Sequence, residues 1–341
     1  MMLLRSASEN DLAAILRLAE QSGIGMTTLP KDIELLKKRL AWSTASFAKE
    51  ITAFGHEYYL FVLEDTKSNE VVGSSAIEAA AGSDTPFYSY KLSKRTRICH
   101  SLNISNHYEV MSLVNDNQGH SELCTLFLEP KYRHNSNGVL LSRARFLFIA
   151  ENPVRFAPTI IAEMRGVSDD EGHSPFWDYV GRHFFHMSFA KADSLTLSTN
   201  KQFIADLMPR HPIYVSLLAP EAQAVIGKPH PSTLPAMKLL LREGFRYNNY
   251  VDIFDAGPTI EAPRDSIHTI TSSSLVMLKD IIDDVSSPRY LLSNTKLNFR
   301  ATVGHAIYNK LEGTCLLGQE TAELLQLNYG DSLRIAPLHI E

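Results

Sequence analysis

The chain has 341 residues, 44% of them hydrophobic, which is enough for a sizeable buried core and predicts two domains. The net charge of −5 and the pI of about 6.2 argue against a nucleic-acid partner held by counterion release. The three cysteines are far apart without Cys-x-x-Cys spacing, and no apolar run approaches the roughly 18 residues of a membrane span. We therefore predict a cytoplasmic protein with no membrane partner.

The first 80 residues predict a strand, two helices and a hairpin. Residues 3–5 are strand-like, and residues 8–11 resemble a capping box that opens a helix over residues 12–19. A second helix is predicted to begin near Pro30, a residue that suits a first helical turn. Two apolar runs separated by a polar turn predict a hairpin over residues 58–77.

The middle of the chain alternates strands and helices after an irregular segment. Residues 81–118 are polar and are interpreted as an insertion with a weak strand or two. Further strands are predicted at residues 123–128, 159–164, 213–217 and 247–254. Helices are predicted at residues 138–150, 174–185 and 233–242, the last ended by Gly244.

The composition changes at the turn of residues 255–258, where the apolar runs become shorter. Short strands are predicted at residues 267–270, 274–278, 300–303 and 332–335, with a turn at residues 328–331. We predict one domain over residues 1–258, with the insertion near 81–118, and a small, mostly β module over residues 259–341.

The loop before the helix at residue 138 reads Arg-His-Asn-Ser-Asn-Gly. It resembles the acyl-CoA loop of the GNAT N-acyltransferases: Arg133 and Gly138 match, and Ser136 replaces the first glycine. A helix N-terminus offers several N–H donors and a favourable dipole to a pyrophosphate, and small residues allow close approach. Arg133, Ser136, Asn137 and Gly138 are therefore candidate cofactor-binding residues. The alternative is an ordinary strand-to-helix loop.

Longer segments resemble one family, the arginine N-succinyltransferases. They are residues 121–128, 162–167, 174–177, 207–214, 225–227, 230–231 and 250–255. The resemblance implies an α+β fold, with a GNAT-like, mostly antiparallel mixed sheet flanked by helices. It implies succinyl transfer from succinyl-CoA to the α-amino group of arginine, the first step of an arginine-degrading pathway. Succinyl-CoA is then a co-substrate, and no permanently bound cofactor is expected.

The reaction needs a group that handles protons near neutral pH, because an α-amino group has a pKa of about 7.7–8.0 and the leaving thiolate must be protonated. Histidine suits this role, but the chain has 13 histidines. The resemblance selects His230 as the catalytic proton donor, and the prolines on both sides stiffen its loop. His211 is the reserve candidate.

The resemblance also implies that Leu126 contacts succinyl-CoA. Its backbone could pair with the pantetheine amides, and a nearby N–H could stabilise the oxyanion. Arginine needs an acid for its guanidinium and a base for its carboxylate, for which Glu163 and Arg165 are the candidates. We predict no metal site, because His183 and His186 lack a third ligand.

Three functional alternatives stay open. The chain is the succinyltransferase, an N-acyltransferase for ornithine or another amine and acyl-CoA pair, or a weakly active partner subunit of such an enzyme. An unpaired arginine or lysine near the thioester would favour the first, because only the succinyl group carries an extra carboxylate. Both a homo-oligomer and a hetero-oligomer with a related chain are compatible with the sequence.

Overall fold

The computed structural model describes residues 1–23, 25–169, 171–197, 201–283 and 287–339. The helices are α1 Leu12–Gln21, α2 Ile33–Ala48, α3 Asn137–Glu151, α4 Pro175–Tyr179, α5 Gly181–Phe185, α6 Phe189–Leu195, α7 Gln202–Leu207, α8 Pro220–Val225, α9 Leu234–Arg242, α10 His268–Ser272 and α11 Gln319–Leu325. The strands are β1 Met2–Ser6, β2 Tyr58–Asp65, β3 Glu70–Glu78, β4 Ser89–Cys99, β5 Ile104–Val114, β6 Ser121–Leu128, β7 Thr159–Glu163, β8 Ile213–Tyr214, β9 Arg246–Val251, β10 Pro258–Pro263, β11 Ser274–Ile282, β12 Arg289–Asn294, β13 Arg300–Asn309, β14 Thr314–Gly318 and β15 Ser332–Pro337.

The strands form a continuous sheet in the order β12-β15-β11-β14-β13-β1-β2-β3-β6-β7-β10-β9-β4-β5-β8. Among the described strands, β6–β7 and β11–β14 are the parallel pairs, and the other pairs are antiparallel. At one end β12 also pairs with β13, which closes β11 to β15 into a small barrel. Closure leaves that part of the sheet with no open edge. The fold is therefore a mixed α and β fold.

Strand β2 lies between β1 and β3 and is covered on both faces. Its alternate residues Tyr59, Phe61 and Leu63 pack in one core with α3, while Tyr58 and Leu60 pack in another with α1 and α2. This explains why β2 reads as a continuous apolar run, since both of its faces are buried. At the start of α1 the predicted capping box is present, with the N–H of Ser8 donating to Asp11 over 2.8 Å.

The segment predicted as an insertion with weak strands is a long ribbon. Strands β4 and β5 have 11 residues each and pair from Ser89↔Val114 to Cys99↔Ile104. Only the base of the ribbon joins the sheet, through β9 and β8. Its outer half is exposed and carries polar residues, so the hydrophobic alternation that normally marks a strand is missing there.

Three predicted elements differ in the structure. Residues 267–270 are not a strand, because His268–Ser272 forms α10, whose Thr269 donates its N–H to the Glu243 carboxylate over 2.7 Å. The helix predicted at 174–185 is broken at Val180 into α4 and α5. The strand predicted at 213–217 is limited to β8 and continues as a 3-10 turn. In each case tertiary contacts outweigh local propensity.

The predicted division of the chain between residues 258 and 259 stays a prediction. Strand β10 lies between β7 and β9 in the larger part of the sheet, and the barrel begins at Ser274. None of the helices in the described ranges is both long enough and apolar enough to cross a membrane.

Candidate active site

The parallel strands β6 and β7 pair over a short stretch only. Ser121 pairs with Ile160 and Glu122 with Ile161, and no further pairing between the two strands occurs among the described residues, although β6 runs on to Leu128. The carboxyl half of β6 therefore presents an unpaired edge. Unpaired N–H and C=O groups of this kind can receive an extended ligand.

A bulge interrupts β6 at Thr125. Its φ of 57° is left-handed, and the register with β3 shifts between Ser74 and Ala76. Thr125 donates its N–H and its hydroxyl to Thr28, each over 3.1 Å. A β-branched residue in this conformation costs roughly 1–3 kcal/mol and persists only where its surroundings hold it, which is typical of functional sites.

A cavity of about 150 Å³ lies at the open ends of β6 and β7. Its lining comes from seven parts of the chain: Gly25, Met26, Thr27 and Thr28; Glu122, Leu123, Cys124, Thr125 and Leu126; Arg145; Glu163, Met164 and Arg165; Phe189 and Asp193; Thr233, Ala236 and Leu240; Asp252 and Asp255. The structure thus brings together Leu126, Glu163 and Arg165 of the predicted site.

Carboxylates concentrate at one side of this cavity. Burial and the nearby carboxylate of Glu78 raise the pKa of Glu122 to about 8, and burial and Asp252 raise the pKa of Asp193 to about 7. Burial and Asp252 also raise the pKa of Glu163 well above its usual value, and its Oε1 is buried without a hydrogen-bond partner in the described chain. Such a group of acids favours a cationic ligand.

Two of the cavity carboxylates hold the backbone. Asp255 accepts the N–H groups of Gly166 over 2.7 Å and Gly257 over 2.8 Å. A Cβ at Gly166 would lie 2.4 Å from the Asp255 carbonyl oxygen, so this junction requires glycine. Asp252 accepts the N–H groups of Phe254 and Asp255 through one oxygen, Oδ1. Asp252 and Asp255 therefore shape the cavity wall.

His230 lies beside the cavity, although it is not one of the residues that line it. Its Nδ1 accepts the N–H of Ser232 over 3.1 Å and lies 2.7 Å from the Ser232 hydroxyl. A ring nitrogen that accepts an N–H carries no proton, so this geometry places the proton of the neutral ring on Nε2. The backbone N–H of His230 donates to the carbonyl of Arg165 over 2.8 Å.

The loop predicted to bind the pyrophosphate precedes α3. Asn135 and Ser136 have φ values of 50° and 69°, so Ser136 adopts the left-handed conformation that a glycine takes most easily. Arg133 donates to the Leu128 carbonyl over 2.9 Å, and the Asn137 side chain donates to Tyr132 over 3.0 Å. A Cβ at Gly138 would meet nothing within 4 Å, so the chain itself leaves open space there.

Sequence reasoning missed Arg145 and the acids Glu122, Asp193 and Asp252. Arg145 is 1% exposed and lines the cavity, and burial lowers its pKa to about 10. The available signal was an arginine between Ala144 and Phe146, in a helix that continues with the apolar run Phe146 to Ala150.

The absence of a metal site stays a prediction. Asp169, Glu171 and His173 bring one ligand atom each within 4.8 Å of one another, and all three are exposed. Exposed acidic groups of this kind are common without an ion.

Comparisons with known proteins match the chain along its length. The arginine N-succinyltransferase beta subunit family model matches residues 2–269, and that of the C-terminal domain of the same subunit matches residues 274–337. The chain is 45% identical to an arginine N-succinyltransferase of Yersinia enterocolitica, over 99% of this chain and 98% of the relative. It is 46% identical to an arginine N-succinyltransferase subunit beta of Pseudomonas aeruginosa, with the same coverage.

A solved structure extends this result to the fold. The arginine/ornithine succinyltransferase subunit AI of Pseudomonas aeruginosa is 38% identical and superimposes with a TM-score of 0.91, covering 99% of both chains. The chain belongs to the arginine N-succinyltransferase beta subunit family.

Proposed function

We propose that the chain transfers the succinyl group of succinyl-CoA to the α-amino group of L-arginine, giving N2-succinylarginine and CoA as a step of arginine breakdown. The observation that carries this proposal is the carboxylate-lined cavity at the open ends of β6 and β7. A cavity with buried acids suits a cationic acceptor, and the unpaired edge beside it suits an acyl-CoA. We also propose that the larger part of the sheet is GNAT-like.

In the proposed reaction, the neutral α-amino nitrogen attacks the thioester carbonyl of succinyl-CoA. The C–N bond forms, the C–S bond breaks, and the amine loses a proton to solvent. His230 acts as the acid in its doubly protonated form: Nε2 gives its proton to the departing CoA thiolate, Nδ1 keeps its proton toward the Ser232 hydroxyl, and the neutral ring is then reprotonated from solvent. A backbone N–H near Leu126 stabilises the oxyanion, a contribution that is typically about 2.7–4 kcal/mol.

The acceptor is proposed to lie at the acidic side of the cavity. Glu163 receives the guanidinium, supported by Glu122 and Asp193, because a cation relieves the repulsion between these carboxylates. Arg165, which donates to Ser168 over 2.9 Å, faces the substrate carboxylate. Ornithine is a second candidate acceptor, since a related structure is described as an arginine/ornithine succinyltransferase subunit.

The donor is proposed to extend from the cavity along β6 to the loop before α3. Arg133 and the first-turn N–H of Gly138 hold the pyrophosphate of CoA. Asn137, whose N–H donates to the His134 carbonyl over 3.0 Å, supports the turn, and Ser136 keeps it in its left-handed form. Succinyl-CoA is a co-substrate in this proposal, not a resident cofactor.

Two relatives are described as subunits, one as subunit beta and one as subunit AI. We therefore propose that this chain assembles with itself or with a related chain in the cytoplasm. A weakly active partner subunit is the competing interpretation.

Thiol release from succinyl-CoA and acetyl-CoA, with arginine, ornithine and lysine as acceptors, tests the function. Turnover with succinyl-CoA and arginine supports the proposal. Turnover only with another combination of acyl-CoA and amine would show a different donor or acceptor specificity. A folded sample that turns over no pair would favour the partner-subunit interpretation.

A further inference from the structure

We propose that Arg145 binds the terminal carboxylate of the succinyl group and thereby selects succinyl-CoA over acyl-CoA donors without that carboxylate. The inference rests on the proposed function and adds to it the residue that sets donor selectivity. It concerns the part of the cavity that Thr125, Leu126 and Arg145 line.

Arg145 is positioned from α3 against the bulge of β6. It lines the same cavity as Thr125 and Leu126 and is 1% exposed. Its Nε donates to the Ser142 carbonyl over 3.0 Å, and its Nη1 donates to the Ala76 carbonyl over 3.2 Å. These two bonds use two of the five guanidinium donors, and Nη2 has no hydrogen-bond partner within the described residues.

None of the described residues supplies a counter-ion for the charge of Arg145. In the described part of the chain, no carboxylate oxygen lies within the 4.0 Å ion-pair distance of its guanidinium. Arg143, two residues earlier on the same helix, is 2% exposed and pairs with Glu243 over 2.6 Å. A buried cation is costly without a partner. The contrast indicates that the missing anion belongs to a ligand.

The chemistry of the donor supplies such an anion. Succinyl-CoA differs from acetyl-CoA and butyryl-CoA by a carboxylate at the far end of the acyl chain. An arginine with free donors can make charge-assisted hydrogen bonds to that carboxylate. Arg165 is assigned to the acceptor side, because it donates to Ser168, beyond the end of β7. Arg145 on α3 therefore lies with the β6 residues proposed to bind the donor, and Arg165 lies on the acceptor side.

A purely structural role is the competing explanation, because Arg145 also ties α3 to the carbonyl of Ala76 beside the bulge. The two roles differ in what they predict for donors. Loss of a structural tie would slow every acyl-CoA to a similar extent, whereas loss of a carboxylate partner would slow succinyl-CoA selectively.

The experiment measures kcat/KM with arginine for succinyl-CoA and for butyryl-CoA, a neutral donor of the same chain length. In Arg145→Gln we expect a decrease of about 100-fold for succinyl-CoA and less than about 3-fold for butyryl-CoA. If kcat/KM decreased by the same factor for both donors, or for neither, the assignment would be overturned. A wild type that does not use succinyl-CoA with arginine would instead contradict the proposed function.

Arg155→Gln is the matched control. Arg155 is also buried, and it donates to the backbone carbonyls of Ser46 and Lys49 and to the hydroxyl of Tyr59. It is not among the residues that line the cavity. We expect a lower Tm for this variant. The ratio of its kcat/KM values for succinyl-CoA and butyryl-CoA should equal that of the wild type.

If Arg145→Gln does not fold, Cys124→Asp and Cys124→Asn test the same point. Cys124 lines the same cavity as Arg145, and burial raises the pKa of its thiol, so the native side chain is neutral. The aspartate carboxylate would pair with the guanidinium. The ratio of kcat/KM for succinyl-CoA to kcat/KM for butyryl-CoA should therefore be at least about 10-fold lower in Cys124→Asp than in the isosteric Cys124→Asn. Equal ratios in the two variants would overturn the proposal.

Discussion

The N–H of His230 donates to the carbonyl of Arg165 over 2.8 Å, and Gly166 forms a β-bridge with Pro229. These contacts attach the loop of the proposed acid to the chain that leaves β7. The Thr233 hydroxyl adds a bond to the same Arg165 carbonyl over 3.4 Å. Because residues on both sides of this junction line the cavity, the proposed acid and the acceptor residues form one rigid unit.

We expect His230→Ala to lower kcat for succinyl-CoA and arginine by about 10²-fold or more, since a positioned acid typically contributes this much. The variant should keep its Tm, because the histidine ring is only partly buried. Steady-state kinetics and thermal unfolding measure both quantities. His211→Ala is the control: its side chain is exposed, so kcat should not change. An equal loss in both variants, or none in His230→Ala, would contradict the assigned role.

Gly138→Val should raise the KM for succinyl-CoA by about 10-fold or more, because its side chain would enter the space proposed for the pyrophosphate. Its Tm should be unchanged, since a Cβ there meets no atom of the chain within 4 Å. Ser136→Gly serves as the control and should bind the donor as well as the wild type, because the φ of 69° suits glycine. A Gly138→Val enzyme with an unchanged KM would remove this loop from the donor site.

Glu122 should make the protein less stable as pH rises. Its pKa in the folded state is about 8, above the usual value of a glutamate, so the folded state binds this proton more tightly than the unfolded state. That contribution is fully present below the unfolded pKa and is lost as pH rises through about 8.

Glu122→Gln should therefore gain Tm over the wild type progressively between pH 5 and 8.5, with roughly 2–4 °C expected for each kcal/mol. Thermal unfolding across this range measures the difference. Glu221→Gln, at an exposed position of α8, should track the wild type throughout. A constant difference between Glu122→Gln and the wild type would show that Glu122 does not titrate in this way.

Much of the fold could be predicted where local patterns agree with the final packing. The hairpin of β2 and β3 has two apolar runs and a polar turn, and α3 begins where the strand-to-helix pattern places it. The β4–β5 ribbon could not be read in this way, because its outer half buries no face. Helix α10 depends on Glu243, a residue some 26 positions away that caps its first turn.

The residues of the candidate site also fall into those that the sequence predicts and those that it does not. Leu126, Glu163 and Arg165 follow or end predicted strands, and the structure places them around one cavity. Asp193 and Asp252 reach that cavity from distant parts of the chain, and Arg145 reaches it from a helix that reads as core. Nothing in their local sequence distinguishes them from surface or structural residues. The roles assigned to all of these side chains stay proposals.

The Arg143–Glu243 pair should carry a large share of the stability of the junction between the two parts of the chain. The pair is 2.6 Å apart with side chains 2% and 0% exposed, and Arg143 also donates to the carbonyls of Pro337, the last residue of β15, and of Leu338 after it. Removal of one partner leaves a buried charge unpaired. Arg143→Met should therefore cost about 3–5 kcal/mol in the free energy of unfolding.

The double variant Arg143→Met/Glu243→Leu should recover part of that loss, because it removes the unpaired charge but leaves the N–H of Thr269 without its acceptor. Arg334→Met is the control: Arg334 and Glu151 are 2.9 Å apart with side chains 15% and 23% exposed. Water screens that pair, so its loss should cost only about 0–1 kcal/mol. Chemical denaturation measures all three free energies. If Arg143→Met cost no more than Arg334→Met, or the double variant were as unstable as the single one, burial of the pair would not explain the stability of this junction.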